Sequence, residues 1–267
     1  MRFVSLASGS SGNCTVIGSD TTQLLVDAGI SRKRTQDALQ KMDLSLQDID
    51  GIFITHEHSD HISGLFMIAK QTDMPIYATA ATIAAIRNMP GAADMDPERF
   101  VPVKPDERLT VKDITVEPMH ISHDAADPVG YRFACEHRKA AVCTDLGCYT
   151  DYTVECLKDC DVLLVEANHD VRMLQAGRYP YMLKQRILSP KGHLSNADSG
   201  KMVSRLLNDH VKAVFLGHLS EENNFPELAY ETVRVEIIES DSPWHDAASD
   251  LPLYVARRRD ASKVIEW

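Results

Sequence analysis

The sequence predicts an α/β fold, because short apolar runs alternate with helical segments along most of its 267 residues. Glycine, serine, aspartate and threonine separate these runs, as turns require. A histidine-rich phrase follows one of the apolar runs, at the point where a buried strand passes into a loop. The chain shows no internal repeats, low-complexity tracts or obvious linker. A single domain over residues 1–267 is therefore predicted.

In the first half of the chain, the predicted strands are apolar runs bounded by turn residues, and they cover 2–7, 14–18, 23–27, 52–55 and 76–78. The predicted helices cover 31–42, the segment after His61, and 79–88. Ser31 is the expected N-cap of the first helix. Leu65, Phe66 and Ile68 share one face of the second helix, and this face is expected to point into the core.

In the second half, strands are predicted at 114–119, 131–135, 139–144, 161–166, 211–217 and 253–257. Helices are predicted at 150–158, 196–208 and 226–237. Pro226 favours the start of the last helix, because its missing N–H needs no partner in the first turn. The chain is thus two strand-rich halves, each with interleaved helices.

The phrase Thr55-His-Glu-His-Ser-Asp-His61 places three histidines and an aspartate after the apolar run 51–54. Imidazole and carboxylate groups are ligands for zinc, manganese and iron. The alternation of His56 and His58 lets two side chains reach one ion, while Asp60 and His61 can face a second. The alternative is a polar loop that is merely rich in histidine. The fixed spacing after a strand favours a metal site.

The pattern of His56, His58, Asp60 and His61 resembles the H-x-H-x-D-H signature of the metallo-β-lactamase superfamily. Three further phrases are similar to the YycJ/WalJ/VicX branch, which is related to tRNase Z and cyclic phosphodiesterases. They are Leu6-Ala-Ser-Gly-Ser-Ser-Gly-Asn13, Leu25-Val-Asp-Ala-Gly29 and His218-Leu-Ser-Glu-Glu-Asn-Asn224. This resemblance implies a four-layer αβ/βα sandwich with two mixed β-sheets, and ligands gathered on loops at one edge.

The resemblance also implies two divalent metal ions, Zn²⁺ or Mn²⁺, held by seven side chains. One ion is expected at His56, His58 and His123, and the other at Asp60, His61 and His218, with Asp145 bridging them. His120 is the main rival to His123. A neutral imidazole at His58 suits hydrolytic metals, whereas relatives with redox iron carry a carboxylate there.

The same relatives use a histidine in an H-x-S/T phrase as a proton donor, and His193-Leu-Ser195 matches it. Glu166, at the end of a predicted strand, is the expected carboxylate partner of His193. Asp60 is expected to orient the attacking hydroxide and to accept its proton. The alternative for His193 is a surface residue at a helix entry, with Ser195 as the helix cap.

Composition is that of a soluble protein, with 44% hydrophobic and 25% charged residues. No apolar run is long enough to span a membrane, and no export signal is visible, so a cytoplasmic location is expected. The six cysteines include no C-x-x-C pair and are interpreted as reduced thiols. The sequence leaves open whether the chain forms a homodimer.

The net charge of −11 argues against nucleic-acid binding over the whole surface. Residues 171–192, however, contain no acidic residue, and they carry five cations and two tyrosines, here called the basic-aromatic segment. Such a mixture suits a phosphate backbone with stacked bases, although a solvated helix face is the alternative. Candidate substrate contacts are Arg178, Lys191, Ser195, Asn168 and Asn223.

The resulting prediction is a metal-dependent phosphodiesterase, most specifically a 5′-to-3′ exonuclease acting on single-stranded DNA or RNA, with a metal-bridging hydroxide as nucleophile. One alternative is a thioester or lactone hydrolase in the manner of glyoxalase II, using the same metal centre. The other is a non-catalytic regulatory protein. A full set of candidate ligands disfavours this last reading, because a binding protein has no need of them.

Overall fold

The computed structural model describes residues 1–247 and 250–267. The described strands are β1 Arg2–Ala7, β2 Cys14–Gly18, β3 Gln23–Val26, β4 Gly51–Phe53, β5 Ile76–Thr79, β6 Phe100–Val103, β7 Leu109–Val111, β8 Ile114–His120, β9 Val129–Cys135, β10 Arg138–Cys143, β11 Val162–Glu166, β12 Ala213–Gly217, β13 Leu253–Val255 and β14 Ile265–Glu266.

The described α-helices are α1 Arg32–Gln40, α2 Ser59–Ile62, α3 Leu65–Ala69, α4 Ala80–Arg87, α5 Asp151–Leu157, α6 Val171–Ala176, α7 Tyr181–Ile187, α8 Asn196–Leu206 and α9 Pro226–Ile238. Ser31 caps α1 by accepting a hydrogen bond from the backbone N–H of Arg34, as expected. Within the described residues, none of these helices combines the length and apolar character that crossing a bilayer demands.

The strands form two seven-stranded mixed sheets. The first has the order β14-β1-β2-β3-β4-β5-β6, and the second has the order β13-β12-β11-β10-β9-β8-β7. In each sheet, antiparallel pairs on one side give way to parallel pairs on the other. This arrangement confirms the predicted fold of two mixed sheets flanked by helices.

Three apolar clusters account for the layers. One packs the first sheet against α1, α3 and α4, and another packs the second sheet against α5, α8 and α9. The third lies between the sheets and includes Phe3, Phe53 and Phe215. Helix, sheet, sheet and helix therefore follow one another in four layers.

The sequence-based prediction missed three short strands, β6, β7 and β14, and the two helices α6 and α7 of the basic-aromatic segment. The first two strands are sheet edges of only four and three residues, and β6 contains Pro102, so their pattern is weak. Strand β14 has only two residues and exists because it pairs with β1. The helix expected after His61 instead begins at Ser59, within the histidine-rich phrase, and is interrupted before α3.

The carboxyl ends of five strands meet at one edge of the sandwich. Asp27 follows β3, His56 lies beyond β4, Asp145 follows β10, Glu166 ends β11 and His218 follows β12. Parallel strands carry their carboxyl ends to the same edge, and loops there are free to bear polar groups. The topology thus concentrates the candidate functional residues in one place.

Candidate metal centre

The first group of donor atoms consists of His56, His58 and His123, whose ligand atoms lie within 4.8 Å of one another. His56 and His123 are buried, and His58 is half-buried. His123 Nε2 lies 3.3 Å from His58 Nδ1. Three imidazoles with nitrogens turned toward a common point are a donor set that suits a divalent transition metal.

The second group consists of Asp60, His61 and His218. Asp60 Oδ2 lies 3.6 Å from His61 Nε2 and 3.7 Å from His218 Nε2. Both imidazoles are buried, whereas the Asp60 side chain is 19% exposed. Asp60 therefore forms the side of this group that is open to solvent.

Asp145 lies between the two groups. Its Oδ1 is 3.8 Å from His123 Nε2, while its Oδ2 is 3.1 Å from His61 Nε2 and 3.0 Å from His218 Nδ1. One carboxylate oxygen thus faces each group. The two sets that the sequence predicted are both assembled, and the expected bridging residue stands between them.

Buried polar atoms without hydrogen-bond partners show that these residues fit a cation. His56 Nε2, Asp145 Oδ2 and His218 Nδ1 are all buried and accept or donate no hydrogen bond. Buried polar atoms are normally satisfied, because leaving one unpaired costs about 1–3 kcal/mol. Three such atoms in one centre, one in each donor group and one on Asp145 between them, are what a set of ligands for cations would present.

Three of the eight non-glycine residues with positive φ in the described chain lie at this site. Asp27, Asp145 and His218 adopt φ values of 60°, 59° and 54°, in the left-handed region that non-glycine residues seldom occupy. Such strain persists only where surrounding contacts hold it, and it is common at binding sites. Here it turns the side chains at three strand ends toward the shared centre.

Residues that the sequence did not single out orient the candidate ligands. Asp27 Oδ2 lies 2.8 Å from His61 Nδ1, and Asp27 also accepts hydrogen bonds from the N–H and hydroxyl of Thr55. Thr55 Oγ1 in turn lies 3.0 Å from His56 Nδ1. These contacts fix the ring orientation and leave the other nitrogen of each imidazole for a metal. A polar Asp at the end of an apolar strand was the available signal.

Asn13 is another residue that contacts the candidate ligands. Its side-chain amide lies 3.1 Å from His61 Nε2, and its backbone N–H donates to the carbonyl of Asp60 at 2.8 Å. The resemblance of the phrase 6–13 to a known branch predicts no role for Asn13. The structure places its last residue directly beside the second donor group.

His193 and Glu166 form a close pair beside Asp145. His193 Nδ1 lies 2.7 Å from Glu166 Oε1 and 3.8 Å from Asp145 Oδ1. Glu166 is fully buried, and its other oxygen accepts hydrogen bonds from the N–H groups of Leu146 and Leu194. The pairing expected from the sequence is therefore present, and the imidazole of His193 is held by a carboxylate that two backbone N–H groups fix in place.

The pKa values of the imidazoles divide into two classes. Burial lowers the pKa of His56 and of His123, which favours the neutral, ligating form. Burial also acts to lower the pKa of His193, but the carboxylates of Glu166 and Asp145 outweigh it and raise the value to about 9. A cation beside Asp145 would offset part of that increase.

The five candidate substrate contacts fall into two sets. Arg178 and Lys191 are exposed and make no ion pair within the described parts of the chain. Ser195, Asn168 and Asn223 are buried. Ser195 and Asn168 are not free to contact a substrate, because their side chains are hydrogen-bonded within the protein. The amide nitrogen of Asn223 donates to Ser220 Oγ at 3.4 Å, while its Oδ1 is buried without a partner.

The engaged side chains have structural roles instead. Ser195 caps α8 by accepting from the N–H of Asp198, as the alternative interpretation foresaw. The amide of Asn168 donates to the carbonyl of His218 at 2.8 Å, so Asn168 positions a candidate ligand. Burial of such residues at strand ends could not be read from their polar character.

The remaining histidines lie outside the two donor groups. His120, the rival to His123, has a side chain that is 60% exposed and 3.9 Å from Asp127. His169 is buried, and burial lowers its pKa to about 4. The structure thus brings His123, and not His120, to the site.

Comparison with known proteins shows the family. Residues 22–218 match the beta-lactamase superfamily domain. The chain is 42% identical to "Exodeoxyribonuclease YycJ" of Bacillus anthracis over 233 residues, which is 87% of this chain and 88% of the relative. It is 39% identical to "Exodeoxyribonuclease WalJ" of Streptococcus pneumoniae serotype 2 over 240 residues, or 90% and 89% of the two chains.

The fold agrees with this result. The crystal structure of Zn²⁺-bound PqqB from Methylobacterium extorquens superimposes with a TM-score of 0.73 over the whole of both chains, at 16% identity. At that identity the likeness concerns the fold alone. The family match, by contrast, covers most of the sequence, and it includes all five of the strand ends described above, from Asp27 to His218. The chain therefore belongs to the beta-lactamase superfamily.

Proposed function

We propose that this protein is a hydrolase with two divalent metal ions, either Zn²⁺ or Mn²⁺, that cleaves phosphodiester bonds in nucleic acid. His56, His58 and His123 would hold one ion, Asp60, His61 and His218 the other, and Asp145 would contact both. The three unpartnered buried atoms at this centre support the assignment. Bound divalent ions lower the pKa of water and neutralise charge on a phosphoryl group.

The residues around the ions then have separate tasks. Asp60 is the partly exposed carboxylate of the centre, so it can orient the attacking water and accept its proton. His193 is the proton donor to the departing oxygen, since its imidazole lies at the centre and is paired with buried Glu166. Glu166 keeps the imidazole protonated and fixes its tautomer.

One observation carries the choice of reaction: His193 Nδ1 lies 2.7 Å from Glu166 Oε1, beside the candidate ligand Asp145. An alkoxide leaving group needs a proton, whereas a thiolate leaves without one. The His193–Glu166 pair, a proton donor held beside the candidate metal ligands, therefore favours a phosphodiester substrate over a thioester. The free Arg178 and Lys191 agree with this choice, because they offer positive charge to a phosphate backbone.

The preferred substrate is single-stranded DNA, cut from an end, by similarity to the relatives named exodeoxyribonuclease. Tyr181 in α7 is 72% exposed, so its ring offers a flat face on which an unpaired base can stack, and Met182, 76% exposed, adds apolar surface beside it. All six cysteines are free thiols, which agrees with a reducing compartment, and we propose the cytoplasm.

The test is cleavage of single-stranded DNA and RNA, labelled at either the 5′ or the 3′ end, with added Mn²⁺ or Zn²⁺. Wild type should shorten the strand in a metal-dependent manner, and the label position gives the polarity. His193→Ala should bind as much metal yet turn over roughly 10²–10⁴-fold more slowly, the usual effect of losing an acid catalyst. His210→Ala, at a histidine whose side chain is 52% exposed and which belongs to neither donor group, is the matched control.

Asp60→Asn tests the metal assignment in the same assay. It should lose activity together with metal content measured by mass spectrometry, because a neutral amide is a poorer ligand than a carboxylate. An active variant with full metal content would show that Asp60 is neither a required metal ligand nor the group that orients the attacking water and accepts its proton.

The same two proteins, wild type and His193→Ala, also test the alternative function, hydrolysis of small thioesters or lactones. If wild type holds two metals but leaves every oligonucleotide intact, hydrolysis of small thioesters or lactones becomes the better assignment. In that case His193→Ala should retain most of the thioesterase activity, because a thiolate needs no acid.

A further inference from the structure

Two basic triplets that are far apart in the sequence lie side by side in the structure. Arg32, Lys33 and Arg34 open α1, and Arg257, Arg258 and Arg259 follow β13. Arg34 Nη2 donates a hydrogen bond to the carbonyl of Arg259 at 3.2 Å. These six residues, here called the basic rim, gather six of the 28 cations of an acidic chain.

The basic rim borders the second donor group. The N–H of Ser8 donates to the carbonyl of Arg257 at 3.0 Å, and Ser8 Oγ accepts from the N–H of His218 at 2.9 Å. Two hydrogen bonds through Ser8 therefore connect Arg257 to the candidate ligand His218. In addition, Arg258 Nη1 donates to Ser10 Oγ at 3.4 Å, and Ser10 lies in the loop that leads to Asn13, whose backbone N–H contacts Asp60.

Few of the cations of the rim form ion pairs inside the protein. Among the described residues, the only ion pair under 4.0 Å that involves the rim joins Arg258 to Glu221, at 3.9 Å. The first turn of α1 contains cations and no acid, although a helix N-terminus disfavours positive charge. Hydrogen bonds within the protein account for Arg34 and Arg258, but folding stability does not explain the exposed cations Lys33, Arg257 and Arg259. An anionic partner does.

An open groove of about 810 Å³ lies along the second triplet. It is lined by all three arginines, by Ser8 and Ser220, and by Phe225, which is 47% exposed. Glu221, Glu227 and Asp260 also line the groove, so its acidic and basic side chains are equal in number. An anion would therefore be attracted by individual guanidinium groups and not by a net positive charge of the groove. Guanidinium groups beside an exposed aromatic ring match the phosphate and base of a nucleotide.

We infer that the basic rim and Phe225 bind nucleotides of a single-stranded nucleic acid whose scissile phosphate lies at the metal centre. This inference rests on the proposed function and extends it. The rim adjoins Asp60 and His218, whereas the basic-aromatic segment runs into His193 and contacts His123 through the carbonyl of Gly192. The strand would thus be held on both sides of the phosphate that is cleaved. Longer strands should therefore bind better than dinucleotides.

The test measures binding of a fluorescent 20-nucleotide strand by anisotropy, in the metal-loaded His193→Ala background that prevents cleavage. The rim variant changes the three exposed residues, Lys33→Gln, Arg257→Gln and Arg259→Gln, and spares Arg258, which also donates to the carbonyl of Leu219. Its Kd should rise roughly tenfold or more, and the slope of log Kd against log salt should fall by about 2, since each lost phosphate contact contributes about 0.7.

The matched control changes three exposed lysines that already have acidic neighbours, Lys104→Gln, Lys158→Gln and Lys201→Gln. It removes the same net charge and should leave both the Kd and the salt slope near those of the background. A rim variant that behaves like this control would overturn the inference. So would a rim variant that loses binding to phosphatidylglycerol vesicles while its DNA binding is unchanged.

Phe225 tests the stacking contact separately. Phe225→Ala should raise the Kd about tenfold, in line with the loss of one base–aromatic stack, and Phe225→Tyr should restore it. Equal affinities for Phe225→Ala and its parent would remove Phe225 from the site. Binding and cleavage are separate readouts. A wild type that binds the strand through the rim but cleaves no phosphodiester would refute the proposed function and not the rim.

Discussion

At the residue scale, the site depends as much on the groups that orient the donors as on the donors themselves. Asp27 and Thr55 hold the imidazoles of His61 and His56, and Glu166 holds that of His193. Each contact selects one tautomer, so the free nitrogen points toward the centre. The orientation of these imidazoles is therefore set by side chains outside the two donor groups.

Glu166→Gln tests this at the proposed acid. We expect kcat to fall roughly 10–100-fold with metal content unchanged, as is usual when a partner of this kind is lost. The carboxylate raises the pKa of His193, so His193 stays protonated to higher pH when Glu166 is present. The alkaline limb of the rate profile should therefore move to lower pH in the variant.

Glu155→Gln, at a carboxylate that is 75% exposed, is the control for this substitution. A pH profile of Glu166→Gln that coincides with that of wild type would show that Glu166 does not act through the proton on His193. A purely structural role would lower the folded fraction without moving the profile.

At the element scale, close contact between loops positions the donors. Helix α2 begins inside the histidine-rich phrase, with His58 at its N-cap, so Asp60 and His61 are fixed by helical backbone. The loop after β3 packs against this helix: the N–H of Ala28 donates to the carbonyl of His61 at 2.8 Å. Gly29 makes the approach possible, since a Cβ there would lie 1.7 Å from the carbonyl oxygen of Asp60.

Gly29→Ala should therefore destabilise the protein by about 3 kcal/mol or more, because the clash is with backbone that cannot turn aside. Metal content should fall with stability, as Asp60 is displaced. Chemical denaturation and metal analysis check both results. Gly91→Ala is the control: its Cβ would meet the half-buried ring of Phe66, a side chain that can move. Equal stability of the two variants would contradict the prediction.

At the scale of the whole molecule, the two sheets share one interior. The cluster between them takes Phe3 and Phe53 from the first sheet and Phe133 and Phe215 from the second. The ends of the chain also meet, since the amino group of Met1 donates to the carbonyl of Trp267 at 2.6 Å. We propose that residues 1–267 form one domain. A single cooperative transition in calorimetry is expected, and two separate transitions would contradict it.

Metal removal should lower the stability of this domain. Ions that bind only the folded chain stabilise it by about 2.7 kcal/mol when present at 100 times their Kd. For a domain of this size, that corresponds to a fall in Tm of roughly 5–10 °C on chelation. Differential scanning fluorimetry with chelator, then with Zn²⁺ or Mn²⁺ added back, measures it. His56→Ala should show a smaller response, and an unchanged wild-type Tm would contradict metal binding at the centre.

The sequence by itself determined the fold class and most strand and helix positions, and it predicted the candidate ligands that the structure brings together. Apolar periodicity and turn residues are local properties, so β1 and α8 could be predicted closely. The spacing from His56 to His61 is also local. His123, Asp145 and His218 came from resemblance, because no local property links residues that are so far apart in the chain.

Only the tertiary structure decided how these residues meet. It brought Asp27 to His61 and Glu166 to His193. It also buried Asn168 and Asn223, and it joined Arg34 to Arg259 across 225 positions of the chain. Burial and long-range contact depend on how two sheets pack, which no window of sequence contains. Residue types fix which chemistry is available. The packing of parallel strand ends at one edge fixes where that chemistry lies.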